Sequence, residues 1–281
     1  MIGPDNRPTD VTMSSWPALC TNLGRSKYMS KPTIRVLEDI QQVAATAADE
    51  FIARANRAIQ HHGRFTAALS GGSTPKTMHT ILAERTAKNA KLIDWSRVQI
   101  LFGDERHVPP DHADNNFRMA KETLLSKVPV PAANVHRIRT ENPDAAKAAE
   151  EYDRELVQVF QLKGEDQLPR LDLIFLGMGP DGHTASLFPG TTAVHELKKR
   201  VVANWVPKFN TWRVTLTRPV INQAECVLLM VSGKDKTQPF AEVMGQGSPD
   251  VYPVKYVQPT HGELIWLVDK AAAGSSLAHA G

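Results

Sequence analysis

A histidine and an aspartate share one short loop, Gly177-Met178-Gly179-Pro180-Asp181-Gly182-His183. The imidazole of histidine has an ordinary pKa of about 6.5, so it can act as a general base near neutral pH. A carboxylate two residues away can orient the ring or bias its proton. An Asp-x-His pair is also typical of a solvent-facing turn with a capping aspartate. This loop follows a strongly apolar run that predicts a strand, and this position favours a catalytic role over an ordinary surface turn. We therefore take Asp181 and His183 as candidate catalytic residues.

A second loop, Ser70-Gly71-Gly72-Ser73-Thr74-Pro75, has the composition of an anion-binding turn. Glycines let the backbone approach an anion, and a following helix presents unpaired N–H groups and the positive end of its dipole. Ser73 and Thr74 add hydroxyl donors, and we predict Thr74 as the N-cap and Pro75 as the first helical residue. The loop is either a phosphate cradle or an ordinary strand–turn–helix connection. It is not a Walker P-loop, because no glycine precedes Lys76.

Other chemistries are disfavoured by residues that are missing or misplaced. Residues 177–182 match G-x-G-x-x-G, but Pro180 interrupts the loop and Glu196 does not end a second strand, as a ribose-binding acid would. The more closely spaced histidines are His61, His62, His107 and His112. They form no helical His-x-x-x-His pair with an acidic partner, and no G-x-S-x-G elbow occurs. We therefore expect no nucleotide cofactor, no catalytic metal and no serine hydrolase triad.

The apolar pattern along the chain predicts the elements that position these loops. Short apolar runs predict strands at residues 65–69, 98–102, 135–138, 171–176, 201–206, 214–216, 226–232 and 264–268. Helical spacing, capping residues or composition predict helices near residues 40–62, from Pro75 onward, near 115–125 and 145–160, and after residue 236. Strands that alternate with helices predict a largely parallel α/β sheet. The polar loops 70–75, 104–107 and 177–183 follow strand ends, where open α/β sheets place ligand sites.

Composition and charge exclude several broad classes of protein. The chain has 281 residues, of which 42% are hydrophobic and 22% charged, as in an average soluble domain. The net charge of +3 is too balanced to predict a polyanion partner, so we expect no nucleic acid. No apolar run approaches the roughly 20 residues of a membrane helix, so we expect no membrane association. Cys20 and Cys226 indicate no disulfide framework and fit a reducing cytoplasm, and Cys226 is expected to be a buried core thiol.

The first 28 residues differ in composition from the rest of the chain. They are rich in Pro, Asn, Ser and Thr and show no clear period. We predict a flexible N-terminal extension, or a start codon assigned upstream of Met29. No cationic segment followed by an apolar stretch indicates a secretory signal. Residues 29–281 are predicted to form a single α/β domain.

Five segments carry a pattern that extends over about residues 31–270. They are Leu69-Ser70-Gly71-Gly72-Ser73-Thr74-Pro75, Gly103-Asp104-Glu105-Arg106-His107-Val108-Pro109 with Asn115-Asn116, residues 176–189, Val206-Pro207-Lys208 with residues 212–217, and Gly233-Lys234-Asp235-Lys236. Together they resemble the 6-phosphogluconolactonase family, which is related to sugar-phosphate isomerases and glucosamine-6-phosphate deaminases. The resemblance implies a Rossmann-like three-layer α/β sandwich with a mostly parallel sheet and helices on both faces. It also implies hydrolysis of 6-phospho-D-glucono-1,5-lactone to 6-phospho-D-gluconate in the oxidative pentose phosphate pathway, without cofactor or metal.

Hydrolysis of such a lactone needs a base for water, a site for the phosphate and donors for the oxyanion, and these needs suggest roles for individual residues. His183 is expected to be the general base for water, and Asp181 is expected to position it. Arg106 is expected to bind the phosphate or to polarise the lactone. The phosphate is assigned to Gly71, Gly72, Ser73, Thr74, Arg213 and Lys236, with Lys208 and Lys234 as second choices. Backbone N–H groups near Gly71 or Gly179 are expected to stabilise the oxyanion.

Two alternative functions share parts of this pattern. A glucosamine-6-phosphate deaminase or similar isomerase would, by resemblance, follow the Asp-x-His loop with Asn-Glu-Pro, whose carboxylate carries protons. Here Leu187-Phe188-Pro189 occupies that stretch, and a phenylalanine cannot transfer a proton. A catalytically silent sugar-phosphate-binding regulator would keep the cradle and Arg213 but would have no use for His183. We expect a small-molecule sugar-phosphate lactone as the partner, and a monomer or weak homo-oligomer.

Overall fold

The structure is a computed structural model that describes residues 10–11 and 31–274. Of residues 1–28, for which an extension or an alternative start was predicted, only residues 10–11 are among the described residues. Cys20 also lies outside the described residues. The ten strands of the described part are β1 (Asp10–Val11), β2 (Thr33–Leu37), β3 (Phe65–Leu69), β4 (Val98–Phe102), β5 (Asp104–Arg106), β6 (Leu173–Gly177), β7 (Val201–Val206), β8 (Thr211–Leu216), β9 (Cys226–Val231) and β10 (Glu263–Asp269). The seven α-helices of that part are α1 (Ile40–His62), α2 (Ser73–Lys88), α3 (Asn116–Ala120), α4 (Ala145–Phe160), α5 (Arg218–Gln223), α6 (Thr237–Met244) and α7 (Lys270–Ala273).

Seven strands form the main sheet in the order β1-β2-β10-β9-β6-β3-β4. Only the edge pair β1–β2 is antiparallel, and every other neighbouring pair is parallel. All residues of β3 and of β9 are buried, so both faces of the sheet are covered there. Parallel sheets are covered in this way by helices on their two faces. The predicted mostly parallel α/β fold is confirmed.

Helix α1 shows how the apolar spacing produces the layer next to the sheet. Asp39 caps its first turn by accepting a hydrogen bond from the backbone N–H of Gln42 at 2.9 Å. Its buried face includes Val43, Ala47 and Phe51, which recur at helical spacing. Gly63 ends the helix in the left-handed region at φ 84°, which agrees with the helix predicted near residues 40–62.

Strands β5, β8 and β7 form a separate antiparallel sheet, in that order. The chain passes from β4 directly into β5 at Gly103, whose carbonyl accepts a hydrogen bond from the N–H of Leu216 at 2.9 Å. The register places Arg106 of β5 opposite Arg213 of β8. The sequence predicted strands at 201–206 and 214–216, but not that they pair with each other outside the parallel sheet.

Three local predictions are wrong. Helix α2 begins at Ser73 with Gly72 as its N-cap, so neither Thr74 nor Pro75 has the predicted position. Gly72 takes φ 112°, a conformation that suits glycine, and the helix starts two residues upstream of the prediction. Residues 135–138 form no strand, because only one isolated bridge, between Ile100 and Val135, forms there.

The remaining details agree with the sequence. Residues predicted as a helix near 115–125 form α3 with Asn115 as its N-cap, continued by a π-helical turn at Lys121–Leu125. Cys226 is buried, and burial raises the pKa of its thiol to about 12, so it is the inert core thiol expected. No helix in the described part of the chain combines the length and apolar composition needed to cross a bilayer.

Candidate active site

A pocket of about 370 Å³ lies at the carboxyl ends of β3, β6 and β9, beside the start of the antiparallel sheet. These three strands are neighbours in the main sheet, so their following loops converge. The predicted site residues that line it are Gly71, Gly72, Ser73, Thr74, Arg106, His183, Arg213 and Lys236. A larger groove of about 890 Å³ lies along Phe117, His136 and Arg137, and none of the predicted site residues lines it. The smaller pocket is therefore the candidate active site.

His183 and Asp181 form the hydrogen-bonded pair that their spacing predicted. Nδ1 of His183 lies 2.5 Å from Oδ1 of Asp181. A carboxylate can only accept here, so the proton of the neutral ring sits on Nδ1 and the lone pair on Nε2. Gly179 makes room for the ring, because a Cβ built on Gly179 would lie 2.0 Å from that Nδ1. Contact with the imidazole thus explains the glycine at position 179, without any role in dinucleotide binding.

Asp181 is held by a second group, the ammonium of Lys208. Nζ of Lys208 lies 2.8 Å from Oδ2 of Asp181, the oxygen that does not face the imidazole. Burial would raise the pKa of Asp181, but hydrogen bonds from His183 and Lys208 outweigh it and hold that pKa well below its usual range. Asp181 is therefore a carboxylate at any working pH. Lys208 and Lys234, the second choices for the phosphate, lie outside the pocket lining.

Phe188 packs directly on the candidate base. Its ring stacks on the imidazole of His183 with centroids 3.9 Å apart and planes 21° apart. This is the position at which, by resemblance, a deaminase would carry a carboxylate. The stacking fixes the plane of the imidazole and places an apolar ring where that alternative needs a proton carrier.

Arg213 and Arg106 bring two guanidinium groups to one wall of the pocket. Arg213 is only 9% exposed, and its guanidinium lies 5.5 Å from the ring centroid of Phe188 and 5.3 Å from that of Phe209. Burial lowers the pKa of Arg213, although a guanidinium stays charged at neutral pH. Arg106 donates through Nη1 to the carbonyl oxygen of Asp114 at 2.7 Å. Within the described part of the chain, Nε of Arg106 and Nε of Arg213 are buried without a hydrogen-bond partner, and both side chains line the pocket, so each has a donor left for an anionic ligand.

The predicted cradle is built as an anion site. Gly72 precedes α2, and the first turn of that helix carries no acidic residue. Its unpaired N–H groups and dipole favour a negative charge at this point. Lys236 also lines the pocket, with its side chain 17% exposed and paired with Asp235. Of the two backbone donors considered for the oxyanion, that of Gly179 is already engaged, since it donates to the carbonyl of His183 at 2.9 Å.

Sequence reasoning assigned no role to three buried polar residues beside the pocket. Asp104 and Asn116 line it, and Asp104 accepts a hydrogen bond from the hydroxyl of Ser186 at 2.6 Å. Glu105 is 0% exposed and accepts from the backbone N–H groups of Arg106, Asn116 and Phe117. Burial raises the pKa of Glu105 to about 7 in spite of these donors. Polar residues directly after an apolar strand were the available signal, but only the fold shows that they are buried.

The described residues also show whether the requirements of a metal site and of a ribose-binding acid are met. Among the described residues, no group of three or more His, Cys, Asp or Glu side chains converges in a way that would hold a metal ion. Glu196, the residue considered for a ribose hydroxyl, accepts hydrogen bonds from the backbone N–H groups of Lys198 and Lys199. It is thus part of a surface turn.

The fold and pocket define an α/β protein with a carboxylate-oriented histidine beside an anion-binding helix terminus. Residues 38–266 match the family model described as glucosamine-6-phosphate isomerases/6-phosphogluconolactonase. The chain is 40% identical over 248 residues to the 6-phosphogluconolactonase of Nostoc sp., covering 88% of this chain and 99% of that protein. The 6-phosphogluconolactonase of Rattus norvegicus is 38% identical over 242 residues, covering 85% of this chain and 92% of that protein.

Among solved structures, the 6-phosphogluconolactonase from Trypanosoma brucei matches with a TM-score of 0.77 and 29% identity, covering 86% of this chain and 98% of that one. The chain belongs to the family of glucosamine-6-phosphate isomerases and 6-phosphogluconolactonases. The resemblance found in the five sequence segments is confirmed.

Proposed function

We propose that this protein hydrolyses 6-phospho-D-glucono-1,5-lactone to 6-phospho-D-gluconate in the oxidative pentose phosphate pathway. This chain covers 99% and 92% of the length of two relatives named 6-phosphogluconolactonase, and this match supports the same activity here. The observation that carries the mechanism is the 2.5 Å contact between Nδ1 of His183 and Asp181, which leaves Nε2 as a proton acceptor.

Substrate binding rests on charge. A sugar phosphate carries about −1.5 to −2 charges at pH 7. The N-terminus of α2 at Gly72, the buried guanidinium of Arg213 and the ammonium of Lys236 all line one pocket and supply the opposing charge. Arg106 adds a further cation on the same wall. We assign the phosphate to this cluster, which leaves the lactone end of the substrate for His183.

The chemical step follows from the state of the imidazole. Nε2 of His183 accepts a proton from water while the water oxygen attacks the lactone carbonyl carbon. The C1–O5 bond then breaks, and the ring oxygen leaves as a hydroxyl after taking the proton back from the imidazolium. The products are the open-chain acid and the unchanged enzyme. The Asp181 carboxylate stabilises the imidazolium between the two transfers without being protonated itself.

Two observations favour this reaction over the alternatives. The deaminase reading needs a carboxylate at position 188, where Phe188 instead stacks on His183. The silent-regulator reading gives no reason for an imidazole oriented by a carboxylate, or for a glycine that makes room for it. We further infer a cytoplasmic enzyme, because the buried thiol of Cys226 has no disulfide partner among the described residues.

The test is the rate of acid release from freshly prepared 6-phosphogluconolactone, corrected for spontaneous hydrolysis. The wild-type protein is expected to accelerate it, and His183→Ala to lower kcat by at least about 10²-fold with unchanged folding. His61→Ala, which removes an exposed histidine at the end of α1, serves as the matched control and is expected to behave as wild type. Ammonia release from glucosamine 6-phosphate, with no lactone hydrolysis, would overturn the proposal in favour of the deaminase.

A further inference from the structure

Lys208 lies at the tip of the hairpin that joins β7 to β8. The tip is a short 3₁₀ turn, Pro207–Phe209, closed by Asn210 in the left-handed region at φ 48°. The Lys208 side chain is 53% exposed, yet its Nζ lies 2.8 Å from Oδ2 of Asp181. It does not line the pocket that holds the cradle and Arg213. Its contacts therefore point away from the phosphate and toward the carboxylate behind the base.

Asp181 bridges Lys208 and His183 through its two oxygens. Oδ1 accepts from the imidazole and Oδ2 from the ammonium. A carboxylate held at both oxygens cannot rotate, so the ammonium fixes which oxygen faces Nδ1. We propose that Lys208 is a positioning residue for the base His183, acting through Asp181, and not a ligand of the substrate phosphate. This inference rests on the proposed lactonase function.

The rest of the hairpin tip supports the same role. Phe209 meets the edge of Phe188 with centroids 5.7 Å apart, and Phe188 stacks on His183. The Nζ of Lys208 also lies 5.5 Å from the centroid of Phe209. The hairpin tip is thus connected to the imidazole through Asp181 and through the stacked ring of Phe188. Loss of the ammonium is expected to leave the Asp181 carboxylate less firmly held, while the contact between Phe188 and His183 remains.

A positioning role and a phosphate-ligand role give different kinetics. A phosphate ligand contributes equally to ground and transition states, so its removal raises KM and weakens competitive inhibition by 6-phosphogluconate. A group that orients the base affects the chemical step and lowers kcat.

The experiment compares Lys208→Met, Lys208→Arg and the control Lys198→Gln, an exposed lysine away from the pocket. We expect Lys208→Met to lower kcat about 3- to 10-fold, with KM and the inhibition constant of 6-phosphogluconate within about twofold of wild type. Lys208→Arg keeps the charge and is expected to restore most of kcat, while Lys198→Gln leaves all parameters unchanged.

Two results would overturn the inference. One is a KM and a 6-phosphogluconate inhibition constant that each rise tenfold or more in Lys208→Met while kcat is kept, which makes Lys208 a phosphate ligand. The other is wild-type kinetics in that variant, which makes the contact a surface ion pair only. Both require an active wild-type enzyme, so failure of the lactonase assay itself would be seen first and separately.

Discussion

The replacement Asp181→Asn tests how the carboxylate controls the base. In the wild type, Oδ1 faces Nδ1–H of His183 at 2.5 Å and Oδ2 faces the Lys208 ammonium at 2.8 Å. An asparagine has one oxygen and one NH₂ group, and only the oxygen can face the ammonium without a clash of donors. The NH₂ group is then directed at Nδ1. This makes Nδ1 the acceptor, moves the ring proton to Nε2 and removes the base.

The size of this effect follows from competing hydrogen bonds. A hydrogen bond to a charged group contributes about 1.5–3 kcal/mol, against about 0.5–1.5 kcal/mol for a neutral pair. The amide orientation that suits Lys208 is therefore the favoured one, even though the backbone N–H of His183 also approaches Oδ1 at 3.3 Å. The same exchange in a Ser-His-Asp triad lowers kcat by about 10⁴ through the wrong tautomer. Because the general base step contributes about 10²–10⁴-fold, we expect Asp181→Asn to lower kcat by at least about 10²-fold.

The assay is the corrected rate of acid release from fresh lactone, measured for the two single variants and the double variant Asp181→Asn/His183→Ala. Asp181 acts only through the ring in this account, so D181N is expected to add no more than about a twofold loss in the H183A background. Adding Lys208→Met to D181N lets the amide turn and is expected to recover part of kcat. A D181N enzyme with near-wild-type kcat, or an equal loss of kcat with and without His183, would show that Asp181 does not act through the imidazole.

Three further outcomes are expected. Arg213→Ala should raise KM about 10- to 100-fold with a smaller change in kcat, because a charged hydrogen bond to the phosphate is lost from ground and transition states alike; an unchanged KM would remove the assignment. Gly179→Ala should lower kcat by at least about 10²-fold, since its Cβ would lie 2.0 Å from Nδ1 of His183, whereas Gly164→Ala, with no atom nearer than 3.9 Å, should be neutral in the same assay. Burial lowers the pKa of His79 to about 4 in the folded protein, whereas the pKa of a histidine in the unfolded chain is about 6.5. As the pH falls below about 6.5, the unfolded chain therefore binds a proton that the folded protein does not, and the free energy of unfolding decreases. Urea titrations should show that the free energy of unfolding decreases between pH 7 and pH 5 by about 2 kcal/mol less in His79→Leu than in the wild type. An equal decrease in both proteins would contradict the effect of burial on His79.

The sequence was sufficient wherever chemistry or packing is local. Strand β3 and helix α4 were predicted with the bounds that the structure has, because a short apolar run and a helical composition each determine one element. The Asp181–His183 contact was predictable for the same reason, since two residues of one loop need no distant partner. The glycine-rich turn before α2 was also recognisable, although its N-cap was not.

What the sequence could not supply depends on contacts between distant segments. Strand β5 consists of Asp-Glu-Arg and has no apolar signal, and its partner β8 lies more than a hundred residues away. Without that pairing, Arg106 and Arg213 cannot be placed side by side. Lys208 was a second choice for the phosphate, and its contact with Asp181 depends on the course of the hairpin, which the sequence does not give. The burial of Glu105 is likewise a property of the assembled sheets.

A crystal structure with 6-phosphogluconate bound would show where the phosphate and C1 lie relative to His183. We expect the phosphate at the N-terminus of α2, against Arg213 and Lys236. We also expect the C1 carboxylate within about 3.5 Å of Nε2 of His183, a hydrogen-bonding or near-attack distance. A bound product with its phosphate at Lys208, or with C1 remote from His183, would contradict these assignments.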